Sequence, residues 1–321
     1  MICPKCKVNH RKKAGMRCVC GYSFTLDPGE TNGLTDAKFL SCLNLASANA
    51  TYYFTKNQLY TAYCKRMLGN SSGCLRKIFW FLIIGSIVLL VFSGGLAFPI
   101  VIIMGFAAFF VWLIGRLSIT PPPREKLGDA VVKWEKEKGP IKKLIQNPGM
   151  TQPPPEFTET DIYDYGVESI LIVDDDLLVD LFVLNNFHAQ KHTLVISASG
   201  YPGYLLTIAE KILSESPDLP VLFLHDSKGK NMISRITHNL PFLGGVDVID
   251  LGFFQDDIAM ISAIRPTRPE KQQNRIPVDL IPYKTILALL TISLAEKVSF
   301  ASILSQGGPG FGESEGYMSF G

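Results

Sequence analysis

The sequence predicts a multidomain protein with a small cysteine-rich module, a two-helix transmembrane hairpin and a C-terminal α/β domain with a mostly parallel sheet. Three observations lead to this prediction. Two close cysteine pairs lie near Met1, an uncharged run covers Ile78 to Gly115, and apolar stretches alternate with amphipathic ones after residue 167. We delimit, in order, the cysteine module, a small helical unit, the hairpin, a proline-rich linker with a charged helix, the α/β domain and a tail: 1–26, 35–68, 77–116, 117–160, 161–304 and 305–321.

The composition already excludes two classes of protein. Of the 321 residues 47% are hydrophobic and 19% are charged, and the mean hydropathy is +0.20. This apolar content excludes intrinsic disorder as the main state. A net charge of +2 excludes a strongly basic protein that wraps nucleic acid, because so small a charge makes no global field. The length suits about two or three domains.

The cysteine module contains the segments Cys3-Pro4-Lys5-Cys6 and Cys18-Val19-Cys20-Gly21. Two close pairs on tight turns present four thiolates in the tetrahedral arrangement that zinc prefers. A pair of disulfides is the alternative, which a cytoplasmic location disfavours. We therefore predict a structural Zn²⁺ held by four thiolates, which leave no open position for catalysis: Cys3, Cys6, Cys18 and Cys20.

This stretch resembles a bacterial zinc ribbon, over about 24 residues that end in Gly21-Tyr22-Ser23-Phe24. The resemblance implies a module that binds nucleic acid, binds a protein or caps a domain. Residues 1–20 contain basic side chains and no acidic one. The basic loop from Arg11 to Lys13 permits contact with nucleic acid, and a merely solvated face is the alternative.

Residues 35–68 have helical periodicity, with Thr35 and Thr55 as candidate N-caps. The linker contains two proline triplets, which favour extended polyproline II, and between them a helix with charges of alternating sign. The tail is rich in glycine and lacks an apolar period, so we expect it to be disordered.

The uncharged run from Ile78 to Gly115 predicts membrane insertion. As one helix it would be about 57 Å long, well beyond a hydrocarbon core of about 30 Å, so it must fold back. Ser93-Gly94-Gly95 supplies the break between spans at 77–93 and 96–116. Basic residues on both flanks place both termini in the cytoplasm. The sequence thus predicts a multi-pass protein of the cell membrane whose helices, with nothing ionisable inside them, act as an anchor.

After residue 167 the pattern becomes one of continuous apolar strands separated by amphipathic helices, which is typical of a parallel sheet buried on both faces. Ligands of such sheets bind beyond the carboxyl ends of the strands. Three segments lie there: Asp174-Asp175-Asp176, Ser199-Gly200-Tyr201-Pro202-Gly203 and His225-Asp226-Ser227-Lys228-Gly229.

Clustered carboxylates at strand ends are a common way to hold Mg²⁺. Residues 148–190 contain many acidic residues and no Lys or Arg, so nothing nearby in the sequence neutralises the three aspartates. The alternative is that these aspartates only cap the following helix. We take as candidate ligand-binding residues Asp175, Asp176, Ser199, Gly200 and Gly203, and as candidate catalytic residues Asp174, Asp226 and Lys228.

The order of an acidic strand end, S-G-Y-P-G and then L-P-V-L-F-L-H-D-S-K-G resembles the Toprim domain of type IIB topoisomerase A subunits, over about 167–260. That family places a Glu after the first strand and Asp-x-Asp after the third, which together hold Mg²⁺ for phosphodiester chemistry. Here Asp174 takes the first position and Asp226 the next, but Lys228 stands in place of the second Asp. The resemblance therefore implies a degenerate Toprim-like domain.

A response-regulator receiver domain is the rival resemblance. Its first strand and acidic pair are similar to the segment from Ile170 to Asp176, and Asp226 would then be the phosphoacceptor. The spacing to Asp226 is several residues too long for that family, and no lysine-proline pair follows a fifth strand.

Two functional hypotheses follow. The first is a bacterial, membrane-anchored, cytoplasm-facing zinc-ribbon protein whose degenerate Toprim-like domain binds a phosphate-bearing ligand or a protein partner without catalysis. The second is a Mg²⁺-dependent enzyme acting on phosphodiesters or nucleic acid, or a receiver-like signalling domain. The sequence favours the first, because Lys228 repels a metal ion where the family places a carboxylate.

Overall fold

The computed structural model describes residues 1–92, 98–117, 121–152, 166–226, 232–252, 267, 277–296 and 298–305. The chain divides into two compact units. The first contains Met1–Cys42 and Ala62–Gly139, and the second contains Leu43–Thr61 and most of the chain after Gly139. Lys228 and the glycine-rich tail beyond residue 305 lie outside the described residues.

The first unit begins with the cysteine module, in which two turns are each closed by an isolated antiparallel bridge. Ile2 pairs with Asn9 in the first turn, and Arg17 pairs with Ser23 in the second. A 3-10 turn at Lys12–Ala14 connects them. Helix α1 (Asp36–Ala46) follows, and its Phe39 side chain is fully buried.

Helix α2 (Lys56–Phe92) follows the short strand β1 (Phe54–Thr55). Its first turn is stabilised by a reciprocal capping box, because the Gln58 N–H donates to Thr55 Oγ1 and the Thr55 N–H donates to Gln58 Oε1. The same turns hold the segment before the last helices: Gln58 Nε2 donates to the Ile281 carbonyl, and Thr61 Oγ1 donates to the Leu280 carbonyl.

The prediction of two transmembrane helices is wrong, because no helix in the described part of the chain is long and apolar enough to cross a membrane. Helix α2 begins about twenty residues before the predicted first span, and helix α3 occupies Phe98–Leu117. The apolar side chains described in them cover 79–88 and 100–110, each about half of the roughly 20 residues that a span needs. The other positions of the predicted spans lie outside the described side chains. Many of the described apolar side chains are exposed. The predicted membrane anchor and the predicted multi-pass localisation are corrected by the same finding.

Helix α4 (Arg124–Lys138) begins directly after the proline triplet that ends at Pro123. It buries one face, formed by Leu127, Ala130, Val131 and Trp134. Trp134 packs on Phe39 of α1, with ring centroids 5.0 Å apart. The charged helix therefore contributes to the core of the first unit.

The second unit contains the α/β domain. Strand β2 (Leu144–Ile145) pairs in parallel with β1. The remaining elements are β3 (Ser169–Val173), α5 (Asp176–Leu184), α6 (Phe187–Gln190), β4 (Thr193–Ser197), α7 (Leu206–Glu215), β5 (Val221–Leu224), α8 (Met232–Asn239), β6 (Val248–Asp250), α9 (Tyr283–Glu296) and α10 (Phe300–Ser305). Further 3-10 turns lie at Gly203–Leu205, Pro241–Leu243 and Val278–Leu280.

Strands β3 to β6 form a parallel sheet in the order β4-β3-β5-β6. Every residue of β3, β4 and β5 is buried, because helices cover both faces. Ile170, Ile172 and Phe223 share a core with Ala209 of α7 and Ile236 of α8. The chain thus has the predicted α/β domain with a parallel sheet.

Candidate functional site

The two cysteine turns are shaped by backbone hydrogen bonds. In the first turn the Lys7 N–H donates to the Cys3 carbonyl at 2.9 Å, and in the second the Gly21 N–H donates to the Cys18 carbonyl at 2.9 Å. Gly21 has a φ of 84°, which a residue without a side chain adopts at little cost. Each turn thereby directs its two sulfurs to the same side.

The four sulfurs form a cluster with the dimensions of a tetrahedral metal site. All four lie within 4.8 Å of one another. The distance between the Sγ atoms of Cys3 and Cys20 is 3.6 Å, and the distance between those of Cys6 and Cys18 is also 3.6 Å. Four thiolates at about 2.3 Å from a central zinc would lie about 3.8 Å apart. The residues therefore fit a Zn(Cys)₄ centre, and the cluster is within metal-binding distance as predicted.

Two of the four thiols have pKa values that are shifted in opposite directions. Burial raises the pKa of Cys3, but the N–H groups of Cys6 and Lys5 outweigh it and bring the pKa to about 6. For Cys6 the Val8 N–H lowers the pKa, but burial and the three neighbouring thiols raise it to about 12. A metal ion bound here would displace the thiol protons, because the thiolate is the form that ligates a metal.

His10 is not part of the cluster. Its Nε2 atom is hydrogen-bonded to the Gly15 carbonyl at 2.8 Å, and its ring stacks on Phe24 with centroids 5.3 Å apart. The ring therefore packs on the small buried core of the module, which Cys3, Cys18 and Phe24 form.

Asp36 connects the module to α1. Its carboxylate is fully buried and accepts hydrogen bonds from the Thr25 N–H at 3.0 Å, the Leu26 N–H at 2.8 Å and the Tyr22 hydroxyl at 2.7 Å. Burial, and then the Asp36 carboxylate, raise the pKa of Tyr22, which keeps its hydroxyl protonated as a donor. The sequence analysis did not single out Asp36.

The second candidate site is the carboxyl edge of the parallel sheet, which we call the sheet edge. It contains Asp174, Asp175 and Asp176 after β3, Ser197 and Ser199 at and after β4, His225 and Asp226 after β5, and Asp250 at the end of β6. The structure brings the first and third of these groups together, because the Asp226 N–H donates to Asp174 Oδ2 at 3.0 Å. Asp226 is almost fully buried.

Asp175 and Asp176, two of the predicted ligand residues, each accept a hydrogen bond at the sheet edge. Asp175 caps α5 by accepting the Leu177 N–H at 3.0 Å. Asp176 accepts the Ser199 hydroxyl at 2.6 Å, and this hydroxyl is also 2.7 Å from that of Ser197. These two aspartates therefore fix the helix and the loop that follow the two strands.

Gly200 and Gly203 belong to the turn after β4. Gly200 has a φ of 88°, and a Cβ there would lie 3.3 Å from Leu206. A Cβ at the exposed Gly203 would meet nothing within 4 Å. Between them, the Tyr201 hydroxyl donates to Asp180 at 2.7 Å, and burial raises the pKa of this aspartate. The turn is thus anchored at Tyr201 and open at Gly203.

His225 is buried at the sheet edge with an acceptor oxygen at each ring nitrogen. Nε2 is 2.8 Å from Asp250 Oδ1, and Nδ1 is 2.6 Å from the Asp226 carbonyl. A carbonyl and a carboxylate both need a donor, so this geometry fits an imidazolium. Burial lowers the pKa of His225, but the hydrogen bonds to Asp250 and Asp226 outweigh it and raise the pKa.

The sequence analysis missed the pair of His225 and Asp250. Asp250 accepts the Gly252 N–H at 2.7 Å as well as His225, and although burial raises its pKa these donors bring it below the usual range. The signal was available, because both residues end neighbouring strands of a parallel sheet, whose carboxyl ends share one edge.

We predict that Gly252→Ala disrupts this pair. A Cβ at Gly252 would lie 2.0 Å from Cε1 and Nε2 of His225, so the ring must move away from Asp250. We expect the second unit to lose about 1–3 kcal/mol of stability, which is typical of overpacking, in urea denaturation. In NMR titration the pKa of His225 should fall.

Gly128→Ala is the control for this variant, because a Cβ on that exposed position of α4 meets nothing within 4 Å. We expect it to stabilise the helix by about 0.5–1 kcal/mol. An unchanged urea midpoint together with an unchanged His225 pKa in the Gly252 variant would contradict the prediction.

In comparisons with known proteins, no family model, no curated protein and no solved structure matches this chain.

Proposed function

We propose that this chain is a zinc-ribbon protein whose α/β domain binds a phosphate-bearing ligand at the sheet edge without catalysis. The observation that carries the proposal is the use of the sheet-edge carboxylates inside the protein. Asp174, Asp175 and Asp176 accept hydrogen bonds from Asp226, Leu177 and Ser199. Carboxylates that fix the loops of a binding site serve recognition, whereas a Mg²⁺ enzyme needs them directed at the metal.

The position of the ligand is supported by the turn after β4. Parallel sheets of this kind bind ligands outside the carboxyl ends of their strands. Gly203 lies there, is exposed and has open space where a side chain would be. Backbone that is free of side chains lets a phosphate approach closely.

The test is calorimetry of the full chain with inorganic pyrophosphate, without and with Mg²⁺. We expect binding without Mg²⁺ and a loss of at least about tenfold in Gly203→Asp, because the new side chain fills the open space at this position and adds to the negative charge that the sheet edge already has. Gly128→Asp makes the same charge change on α4 and should leave the affinity unchanged. Absence of binding in both titrations, or equal losses in the two variants, would overturn the proposal.

A second candidate is a Mg²⁺-dependent phosphodiesterase, in keeping with the Toprim resemblance. It is favoured only by the proximity of two residues at the positions that the family uses for metal, since the Asp226 backbone N–H lies 3.0 Å from Asp174 Oδ2. In the same experiment this candidate requires binding only with Mg²⁺ and hydrolysis of bis-p-nitrophenyl phosphate that Asp226→Asn abolishes. That result would replace the non-catalytic proposal.

A further inference from the structure

Residues 1–26, which we call the ribbon, contain basic side chains and no acidic one. All six basic side chains of the ribbon are exposed, and the first acidic residue of the chain is Asp27. Lys12 Nζ is 2.7 Å from Asp27 Oδ1, and the next acid, Glu30, is 3.0 Å from Lys133. Across the described residues no acid pairs with the other five, which we call the ribbon cations: Lys5, Lys7, Arg11, Lys13 and Arg17.

The two acids that follow the ribbon in the sequence, Asp27 and Glu30, are therefore each paired with a lysine, and the ribbon cations form no ion pair among the described residues. A zinc centre of four thiolates carries a formal charge of −2, but its sulfurs lie mostly inside the ribbon core. Five exposed cations that pair with no acid in the described part of the chain are the electrostatic footprint of a polyanion site.

The aromatic rings of the ribbon decide which polyanion fits. Phe24 is buried, and Tyr22 is half-buried with Lys138 Nζ 4.6 Å from its ring centroid. Proteins that bind single strands stack bases on exposed rings, and neither of these two rings is fully exposed. The interaction that remains for the ribbon cations is contact with phosphates. A duplex presents phosphates at a higher density along its axis than a single strand does.

We infer that the ribbon binds the phosphate backbone of duplex DNA through the ribbon cations, without reading the base sequence. The inference rests on the zinc ribbon of the proposed function, because the metal fixes the two turns that carry Lys5 and Arg17. It is independent of any ligand at the sheet edge.

The test uses the full, zinc-loaded chain and a fluorescein-labelled duplex of about 20 base pairs in fluorescence anisotropy. Five phosphate contacts give a slope of about −4.5 in log affinity against log salt, or about a 500-fold loss between 50 and 200 mM. Two duplexes of unrelated sequence should bind equally well, and a single strand of the same length should bind more weakly.

Replacing all five ribbon cations by Gln should weaken binding at least about 50-fold and flatten the salt dependence. The matched control replaces five exposed cations elsewhere, and we expect it to bind almost as the unchanged protein does: Arg124, Lys126, Lys136, Lys142 and Lys211. A second variant, with Lys5→Arg, Lys7→Arg and Lys13→Arg, keeps the charge and should keep the affinity. Zinc content is measured for each protein, so that loss of the fold is separated from loss of charge.

Three results would overturn the inference: no binding at 50 mM salt, equal losses in the two five-residue variants, or competition by polyglutamate as effective as that by unlabelled duplex. The last result would point to an acidic protein. Binding that persists in a chain without zinc would contradict the premise that the metal holds the turns for this contact, and would leave the contact with DNA intact. A protein that retains zinc but does not bind DNA would contradict the contact with DNA and leave the zinc ribbon intact.

Discussion

Replacing Cys18 by serine is expected to abolish zinc binding and unfold residues 1–26. Cys18 is buried, its sulfur is 3.6 Å from that of Cys6, and its N–H and carbonyl groups both close the second turn. The core cluster of Cys3, Cys18 and Phe24 is small, so a bound zinc would supply most of the folding free energy of this module. Structural zinc contributes about 10–16 kcal/mol in modules of this size.

The measurement is zinc content by atomic emission, together with hydrogen exchange of the amides that the turns protect, those of Cys3 and Phe24. Cys42→Ala is the matched control, because Cys42 is a buried free cysteine of α1 outside the cluster. We expect one zinc per chain in the control and none in Cys18→Ser. Full zinc content and full protection in Cys18→Ser would contradict a four-thiolate site.

Replacing Asp36 by alanine has the second largest expected effect. The change removes the acceptor of the Thr25 and Leu26 N–H groups, which are buried. Each buried amide left without an acceptor costs about 1–3 kcal/mol, so the first unit should lose about 2–6 kcal/mol. Because Asp36 lies at the start of α1, the link between the ribbon and that helix is lost as well.

Hydrogen exchange reports this effect locally, and the two amides should exchange at least about 30-fold faster. Asp36→Asn keeps one acceptor oxygen and should show a smaller change. Asp129→Ala on the exposed face of α4 is the control and should stay within about 0.5 kcal/mol of the unchanged protein. Unaltered exchange at Thr25 and Leu26 in Asp36→Ala would show that the carboxylate does not hold this segment.

The cluster of four cysteines was predictable because its determinants are local. Each cysteine pair lies within one turn, and a chain that closes two such turns has few ways to arrange four sulfurs. The strands were predictable for a related reason: β3, β4 and β5 are continuously apolar, and this pattern is specific to strands buried on both faces.

The prediction of the membrane hairpin failed because an uncharged run by itself does not specify where a helix begins. Helix α2 starts at Lys56, at a capping box between Thr55 and Gln58, and its first turns pack on the segment that contains Leu280 and Ile281. The prediction relied on the uncharged composition of Ile78 to Gly115. The contacts that fix the start of α2 lie outside this run, and they link residues that are far apart in the chain.

The sequence by itself determined the elements whose physics is local: the two cysteine turns, the capped start of α2 and the apolar strands of the α/β domain. Only the tertiary structure decided that Asp36 holds the ribbon and that α4 packs through Trp134 on Phe39. Each of these contacts is stabilised by burial of a group whose partner lies elsewhere in the chain. A residue type and its neighbours do not record such burial, so no local pattern reveals it.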